Sequence, residues 1–360
     1  MSRYSHITSF LKARERHISA LALLVGFVSD NLLLPRVDSV AMYVVLGTYV
    51  CVAALLILVM QMIEGGHVRI PYIASKLLLF RTAIQFFFGS LISALFVYYS
   101  RSGSVIESWP FLLILLLLLV GNEFAYKRYG RLWLQMSVLF FVLFMGMNFI
   151  LPVMLGSISA VIFLGSGLLA LLAMLLFTTA LSFVAPEVVK NDRYTVGVLV
   201  GSIFLLMNIL YFTHVIPPIP LSLRTAEVAH SVVRTDGEYL VTREARMSTQ
   251  LWSIPTVHVI QGESLYFFSA VFAPTKLDTK IIHEWEFYNS TNNQWETRMT
   301  VTFPIVGGRA EGYRGYSIKS SPEVGEWRVA VRTSSGALVG RERFTVELVP
   351  IPAVTTEIRL

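Results

Sequence analysis

The chain has 360 residues, of which 55% are hydrophobic and only 14% are charged. Soluble globular proteins are about 45–50% apolar and about 25% charged, so this composition argues against an ordinary soluble enzyme. Disorder needs low hydrophobicity and is excluded, and the single cysteine, Cys51, excludes an intrachain disulfide and a cysteine-rich zinc site.

The net charge of +6 belongs entirely to the apolar part of the chain. Residues 1–216 carry 14 Lys and Arg against 8 Asp and Glu, whereas residues 217–360 carry 15 of each kind. An excess of Lys and Arg between apolar segments is typical of a membrane-spanning protein, and it does not indicate a nucleic-acid-binding face. We therefore expect membrane lipid, and no nucleic acid, as a partner.

Seven apolar runs approach the roughly 20 residues that a helix needs to cross a hydrocarbon core about 30 Å thick. They cover residues 18–34, 40–63, 77–99, 109–125, 132–151, 157–184 and 194–216. Prolines, including Pro110 and Pro152, fall between these runs or at their ends, which fits the cost of proline inside a helix. The sequence predicts a bundle of seven transmembrane helices over 18–216.

Lys and Arg residues between the predicted spans fall mainly on one side of the membrane. Eleven lie on the side of the N-terminus, and two, Arg36 and Arg101, lie on the other. The positive-inside rule places the eleven in the cytoplasm. The basic segment 1–17 is then cytoplasmic, the C-terminal part is periplasmic, and the first span remains as an anchor because it lacks a small-residue cleavage site.

The chain changes character after the last predicted span. Residues 217–222 are proline-rich and predict a short, stiff linker. Within 223–350, apolar and polar residues alternate, as in Trp327-Arg328-Val329, in eight or nine segments separated by turn sequences. This pattern predicts an all-β sandwich over 223–350, and residues 351–360 are predicted to form a C-terminal tail.

Several spaced motifs of the β region resemble one family. They are Ala273-Pro274, His283-x-Trp285, the run from Gly307 to Arg314, Ser317-x-Lys319, Gly325-x-Trp327-x-Val329, and Gly340 followed by Phe344-x-Val346. Their order and spacing resemble the bacterial family called domain of unknown function twenty-nine-fourteen. The resemblance implies a bacterial inner-membrane protein with an immunoglobulin-like outer domain behind a multi-span membrane region, and it implies no known reaction.

The stretch 307–319 is the strongest binding candidate because basic and aromatic residues interleave between glycines. The candidate residues are Arg309, Glu311, Tyr313, Arg314, Tyr316 and Lys319. Such a loop could hold an anionic ligand, for example a lipid headgroup, an envelope glycan polymer or a partner's acidic tail. The alternative is a structural hairpin whose arginines pair with Glu311 or Glu284.

Two further groups of the β region have competing interpretations. Trp285, Trp295 and Trp327 could line a sugar-binding face, but at alternating strand positions they more simply predict core. His283 and Glu284 are adjacent on a strand and so point to opposite faces, which prevents them from sharing a metal. The sequence predicts no metal and no cofactor.

Polar residues inside the predicted spans are functional hypotheses by default. The four chosen are Asp30, Gln85, Asn148 and Asn208. They could line a substrate path, although hydrogen bonding between helices is the simpler interpretation. Intramembrane hydrolysis would require Ser166, in Gly165-Ser166-Gly167, to lie within reach of His214.

Two functions remain open at this point. The first is a non-enzymatic inner-membrane protein whose periplasmic sandwich binds a partner protein or an envelope polymer. The alternative is a small transporter or lipid-handling protein in which the helices act and the sandwich is accessory. A polar cavity lined by the four intramembrane residues would favour the alternative, and a dry bundle would favour the first.

Overall fold

The computed structural model describes residues 40–65, 77–101, 105–125, 128–217, 221–235, 237–245, 254–273, 278–306 and 312–360. Its contacts divide the chain into two compact units. One unit is helical, and the other contains all the described strands.

Six helices are described, and each overlaps one predicted span. They are α1 (Val40–Glu64), α2 (Leu77–Arg101), α3 (Val105–Phe124), α4 (Leu132–Leu155), α5 (Ala160–Val184) and α6 (Pro186–Phe212). Five are long and apolar enough to cross a membrane, and α3 supplies a shorter apolar stretch, Ser108–Phe124. The first predicted span, 18–34, lies outside the described residues, so the total of seven is not confirmed.

Two helices contain a proline inside their bounds. Pro110 lies inside α3 and Pro152 lies inside α4, although the sequence analysis placed prolines outside the spans. Both lie within about two turns of a helix end. Pro110 is the sixth residue of α3 and Pro152 is in the last turn of α4, so each removes one backbone hydrogen bond near a helix end rather than at its middle. Pro186 begins α6, the position that proline favours most.

Aromatic side chains and small residues pack the helical unit. The ring of Phe144 on α4 lies 5.2 Å from that of Phe163 on α5 and 5.8 Å from that of Phe204 on α6. A Cβ added at Gly167 would approach Phe204 and Phe144 to within 2.7 and 2.8 Å. Glycine is therefore required for this close approach, and small residues commonly serve helix packing in membranes in this way.

Eleven strands are described in the second unit. They are β1 (Ser222–Ala229), β2 (Ser231–Thr235), β3 (Glu238–Glu244), β4 (Thr256–Val259), β5 (Ser264–Phe272), β6 (Asp278–Asn289), β7 (Gln294–Val306), β8 (Tyr313–Ser320), β9 (Gly325–Thr333), β10 (Leu338–Leu348) and β11 (Thr355–Arg359). They form three sheets with strand orders β4-β10-β9-β6-β7, β1-β5-β8 and β11-β3-β2.

The three sheets share two cores, with β5 between them. Phe267 and Val271 belong to the larger core, which also contains Trp285 and Trp327 of the five-stranded sheet. Phe268, on the opposite face of β5, belongs to a smaller core with residues of β2 and β3. The β1-β5-β8 sheet is therefore the middle layer of three.

The third layer was not anticipated from the sequence. Residues 351–360, predicted as a tail, contain β11, which pairs antiparallel with β3 from Thr355↔Glu244 to Arg359↔Leu240. The first alternating segment of the β region is divided at His230 into β1 and β2, which belong to different sheets. The prediction of β9 is correct, because Trp327, Val329 and Val331 are buried.

Candidate functional site

Strand β8 carries four of the six predicted binding residues. Tyr313, Arg314, Tyr316 and Lys319 lie on it, and Arg309 and Glu311 lie outside the described residues. Among the described strands, β8 pairs only with β5, antiparallel from Ser264↔Ser320 to Val271↔Tyr313. The candidate residues therefore follow a sheet edge.

The two tyrosines of β8 lie on opposite faces of its sheet. Tyr313 packs against the larger core. Tyr316 packs against the smaller core, where its ring lies 6.1 Å from that of Tyr266 and 6.3 Å from that of Tyr239. The structure does not bring the tyrosines together into one aromatic surface, because strand residues three positions apart face opposite ways.

Three other side chains of β8 determine the charge and polarity of this sheet edge. Lys319 places Nζ 5.7 Å from the centre of the Trp327 ring and 3.3 Å from the carbonyl oxygen of Ser320, to which it donates. Ile318 is 42% exposed. Arg314 is half-buried and forms interactions of its own. The edge is therefore basic, with one exposed aliphatic side chain.

A hydrogen-bond network sealed inside the larger core, the sealed network, links β8 to β5 and β6. The imidazole of His283 lies between two hydroxyls, with Nε2 2.7 Å from Ser269 Oγ and Nδ1 3.0 Å from Ser317 Oγ. Trp285 Nε1 donates to the same Ser317 oxygen at 2.8 Å. Burial lowers the pKa of His283 from 6.5 to about 3, so the ring is neutral near pH 7.

This network explains two of the family motifs as structural features. His283-x-Trp285 on β6 and Ser317 on β8 meet inside the larger core, and the His283 side chain is fully buried. A serine beside a histidine can suggest a nucleophile, but this pair has no access to a substrate. Its effect is to hold the edge strand rigidly against the five-stranded sheet.

The three tryptophans separate into core and surface. Trp285 and Trp327 are fully buried, as the core interpretation predicts. Trp295 is half-buried on the outer face of the five-stranded sheet, with the guanidinium carbons of Arg328 and Arg343 at 4.4 and 5.2 Å from its ring centre. The arginines cover the indole, so it does not offer a bare platform for a sugar.

Ion pairs stabilise the same outer face. Arg328 makes a two-pronged pair with Glu286, with Nε and Nη2 at 2.6 and 2.8 Å from the carboxylate oxygens. Glu284, considered in the sequence analysis as a partner for Arg309 or Arg314, accepts from Arg332 Nε at 2.8 Å. The charged residues of β6 and β9 therefore satisfy each other across the strands.

A histidine–glutamate cluster in the β domain was missed in the sequence. His230 places Nδ1 2.8 Å from Glu263 Oε1 and Nε2 3.2 Å from Glu244 Oε1. His258 places Nδ1 2.9 Å from Glu244 Oε2. Its members are spread over 33 residues of sequence, which hides them from motif analysis. In the part of the chain that the structure describes, no such cluster has the geometry of a metal site.

Three predicted intramembrane polar residues lie at separate places in the bundle. The side-chain amides of Gln85 and Asn122 each donate to the other's backbone carbonyl at 3.2 Å, which joins α2 to α3. Asn148 donates to the hydroxyl of Tyr99 at 3.3 Å, which joins α4 to α2. Asn208 donates to a carbonyl of its own helix. Two of the three thus bond between helices, as the simpler interpretation predicts.

The bundle also contains hydrogen bonds between polar residues that were not among the predicted candidates. Gln61 on α1 donates to Gln135 on α4 at 2.9 Å, and both side chains are buried. The hydroxyl of Tyr129 donates to Asn122. Single amides within apolar runs give no sequence signal of their partners. Asp30, the fourth predicted residue, lies outside the described residues.

The proposed serine hydrolase pair finds no support. Ser166 is fully buried within α5. His214 places Nδ1 3.1 Å from the carbonyl oxygen of Phe212 in its own turn. Neither side chain is arranged as half of an accessible catalytic pair.

Comparison with known proteins confirms the resemblance. Residues 278–346 match the family described as protein of unknown function, DUF2914. The matched segment runs from the start of β6 to Val346 in β10, and thus contains the sealed network's His283, Trp285 and Ser317. No curated protein matches the chain.

The solved structures that resemble the chain do so at low identity. An immunoglobulin-like protein from Pseudomonas aeruginosa is 14% identical, with 35% of this chain and 96% of that chain covered and a TM-score of 0.19. A β-glucosidase from Listeria innocua is 16% identical, covers 30% of this chain and 16% of its own length, and has a TM-score of 0.19. These similarities carry no argument about activity.

Proposed function

We propose that this protein is a non-enzymatic component of the bacterial envelope. Its helices anchor it in the inner membrane, and its periplasmic β domain binds an extended segment of a partner protein by strand addition along β8. Strand addition supplies affinity through backbone hydrogen bonds and specificity through side-chain pockets on alternate positions.

The observation that carries this proposal is the rigid edge of the middle sheet. β8 pairs only with β5 among the described strands, so one side of its backbone is available for pairing. Ser317 and Tyr313 lock its inward residues into the core. A preorganised edge of this kind binds an incoming strand with a small entropic cost.

The polar groups of the bundle support an anchoring role over transport. Hydrogen bonds between helices are made by the side chains of Gln85, Asn122, Asn148, Gln61 and Gln135. Interhelical hydrogen bonds of this kind hold membrane helices together. The residues predicted to line a substrate path do not converge on one cavity in the described helices.

The proposal is tested by replacing one edge residue. Ile318 is the exposed aliphatic side chain of this basic edge, so Ile318→Lys removes an apolar contact for an added strand and places a further charge on the edge, without disturbing the core. The full-length protein carries a photo-crosslinking amino acid at the exposed Ser320 and is irradiated in cells. We expect a discrete protein adduct that falls at least about fivefold in Ile318→Lys.

Val233→Lys is the matched control. Val233 is 52% exposed on β2, which is the edge of the β11-β3-β2 sheet, so it receives the same change in a comparable setting. The adduct should persist in this variant. Equal adduct yields in wild type and Ile318→Lys, or adducts with glycan alone, would show that β8 does not bind a protein strand.

A further inference from the structure

An apolar groove lies within the helical unit, between α4, α5 and α6. Its volume is about 210 Å³, and all of its lining residues are apolar or glycine except Thr178 and Arg193. On α6 the lining extends from Val189 to Val200, which is about 16 Å along the helix axis. Arg193 lies about 6 Å from the Val189 end of this lining, so the apolar part beyond it, as far as Val200, is about 10 Å long and takes the headgroup-proximal part of an acyl chain.

One end of the groove is cationic. Arg193 lines it, is exposed, and makes no hydrogen bond or ion pair within the part of the chain that the structure describes. Lys190 is exposed and lies about 60° around α6 from Arg193, since each residue turns the helix by about 100°. Arg131, also exposed, directly precedes the lining residue Leu132 at the start of α4.

Acidic residues are present near this end but lie elsewhere around the helix. Asp192 lies about 100° and Glu187 about 120° around α6 from Arg193. Asp192 is about 40° from the lining residue Val196, and Glu187 is about 60° from Lys190, but neither acid lines the groove. The charge at the mouth of the groove is therefore positive, next to an apolar slot.

We propose that this groove is a binding site for one anionic phospholipid. The headgroup-proximal part of an acyl chain occupies the slot between α4, α5 and α6, and the headgroup phosphate is bound by Arg193 with Lys190 and Arg131 beside it. Guanidinium groups recognise phosphate through paired, charge-assisted hydrogen bonds. Basic pockets between membrane helices bind acidic lipid headgroups in the same way.

Gly197 gives a direct test of the slot. It lines the groove, and a Cβ added there would meet no atom within 4 Å. The side chain added in Gly197→Leu therefore begins in open space, and its longer part extends into the slot. Gly47→Leu on α1 is the matched control, because Gly47 also has open space around an added Cβ and does not line the groove.

The experiment measures lipid binding to the full chain purified in a zwitterionic detergent. Dioleoylphosphatidylglycerol and dioleoylphosphatidylcholine are added separately, and bound lipid is counted by native mass spectrometry. We expect wild type and Gly47→Leu to prefer the anionic lipid. Arg193→Gln should reduce that binding about fivefold, which corresponds to the loss of one basic residue near a phosphate, and Gly197→Leu should abolish it.

Any of three results overturns the site. Equal binding of the two lipids by wild type would remove the claim of anionic recognition. Unchanged phosphatidylglycerol binding in Gly197→Leu would place the lipid elsewhere, and a change only in oligomeric state would assign the groove to a second copy of the chain. If Arg193→Gln fails to fold, Gly197→Leu and Gly47→Leu still decide the question.

Discussion

His283 shows how one buried side chain sets a pH limit on the β domain. Its ring is neutral between Ser269 and Ser317, and burial lowers its pKa from 6.5 to about 3. The folded pKa lies below the unfolded one, so the stabilisation is complete above about pH 6.5. It is lost as the pH falls toward 3, at up to about 1.4 kcal/mol per pH unit.

Denaturant unfolding of the β domain in the full chain, followed by tryptophan fluorescence between pH 7 and pH 4, measures this loss. Carboxylates titrate in the same range, so the comparison is with His283→Gln, which keeps hydrogen-bonding groups but does not titrate. We expect the unfolding free energy of wild type to fall more steeply on acidification. Parallel curves for the two proteins would show that His283 is not buried as a neutral ring.

Two ion pairs on the outer face of the five-stranded sheet are expected to differ in how much they stabilise the domain. Arg328 and Glu286 pair through two short hydrogen bonds, with side chains only 17% and 8% exposed. Arg343 and Glu326 form a pair at 3.1 Å, but both side chains are more than 40% exposed. Solvent screens the second pair far more than the first.

The substitutions Glu286→Gln and Glu326→Gln test this difference in stabilisation. The first should lower the free energy of unfolding by about 1.5–3 kcal/mol, the range for hydrogen bonds to charged groups. The second should cost less than about 1 kcal/mol, as exposed pairs do. Chemical unfolding of both variants gives the two values, and similar losses would mean that burial does not govern the pairs.

The sequence predicted elements best where a local pattern determines them. Long apolar runs identified all six described helices, and period-two alternation identified β9. The third sheet could not be predicted, because β11 pairs with β3 more than a hundred residues away and its five residues carry no strong alternation. Tyr313 and Tyr316 were assigned to one binding loop, whereas both lie on a strand, three positions apart, and so face the two different cores.

At the scale of the whole molecule, the distribution of charge predicts the topology. Residues 1–216 hold the entire excess of Lys and Arg, and the N-terminal part of α6 carries Lys190 and Arg193. Cations near the ends of membrane helices remain in the cytoplasm. The β domain, with equal numbers of acids and bases, carries no such retention signal and is expected in the periplasm.

Single cysteines in a Cys51→Ser background test this arrangement. Ser334→Cys lies in the exposed β9–β10 turn, and Asn191→Cys lies near the exposed start of α6. With a maleimide that crosses the outer but not the inner membrane, intact cells should label position 334 and leave position 191 unlabelled until they are permeabilised. The opposite pattern would place the β domain in the cytoplasm, where β8 could not bind a periplasmic partner. The lipid site would then belong to the other leaflet, since its position depends only on Arg193 and the groove.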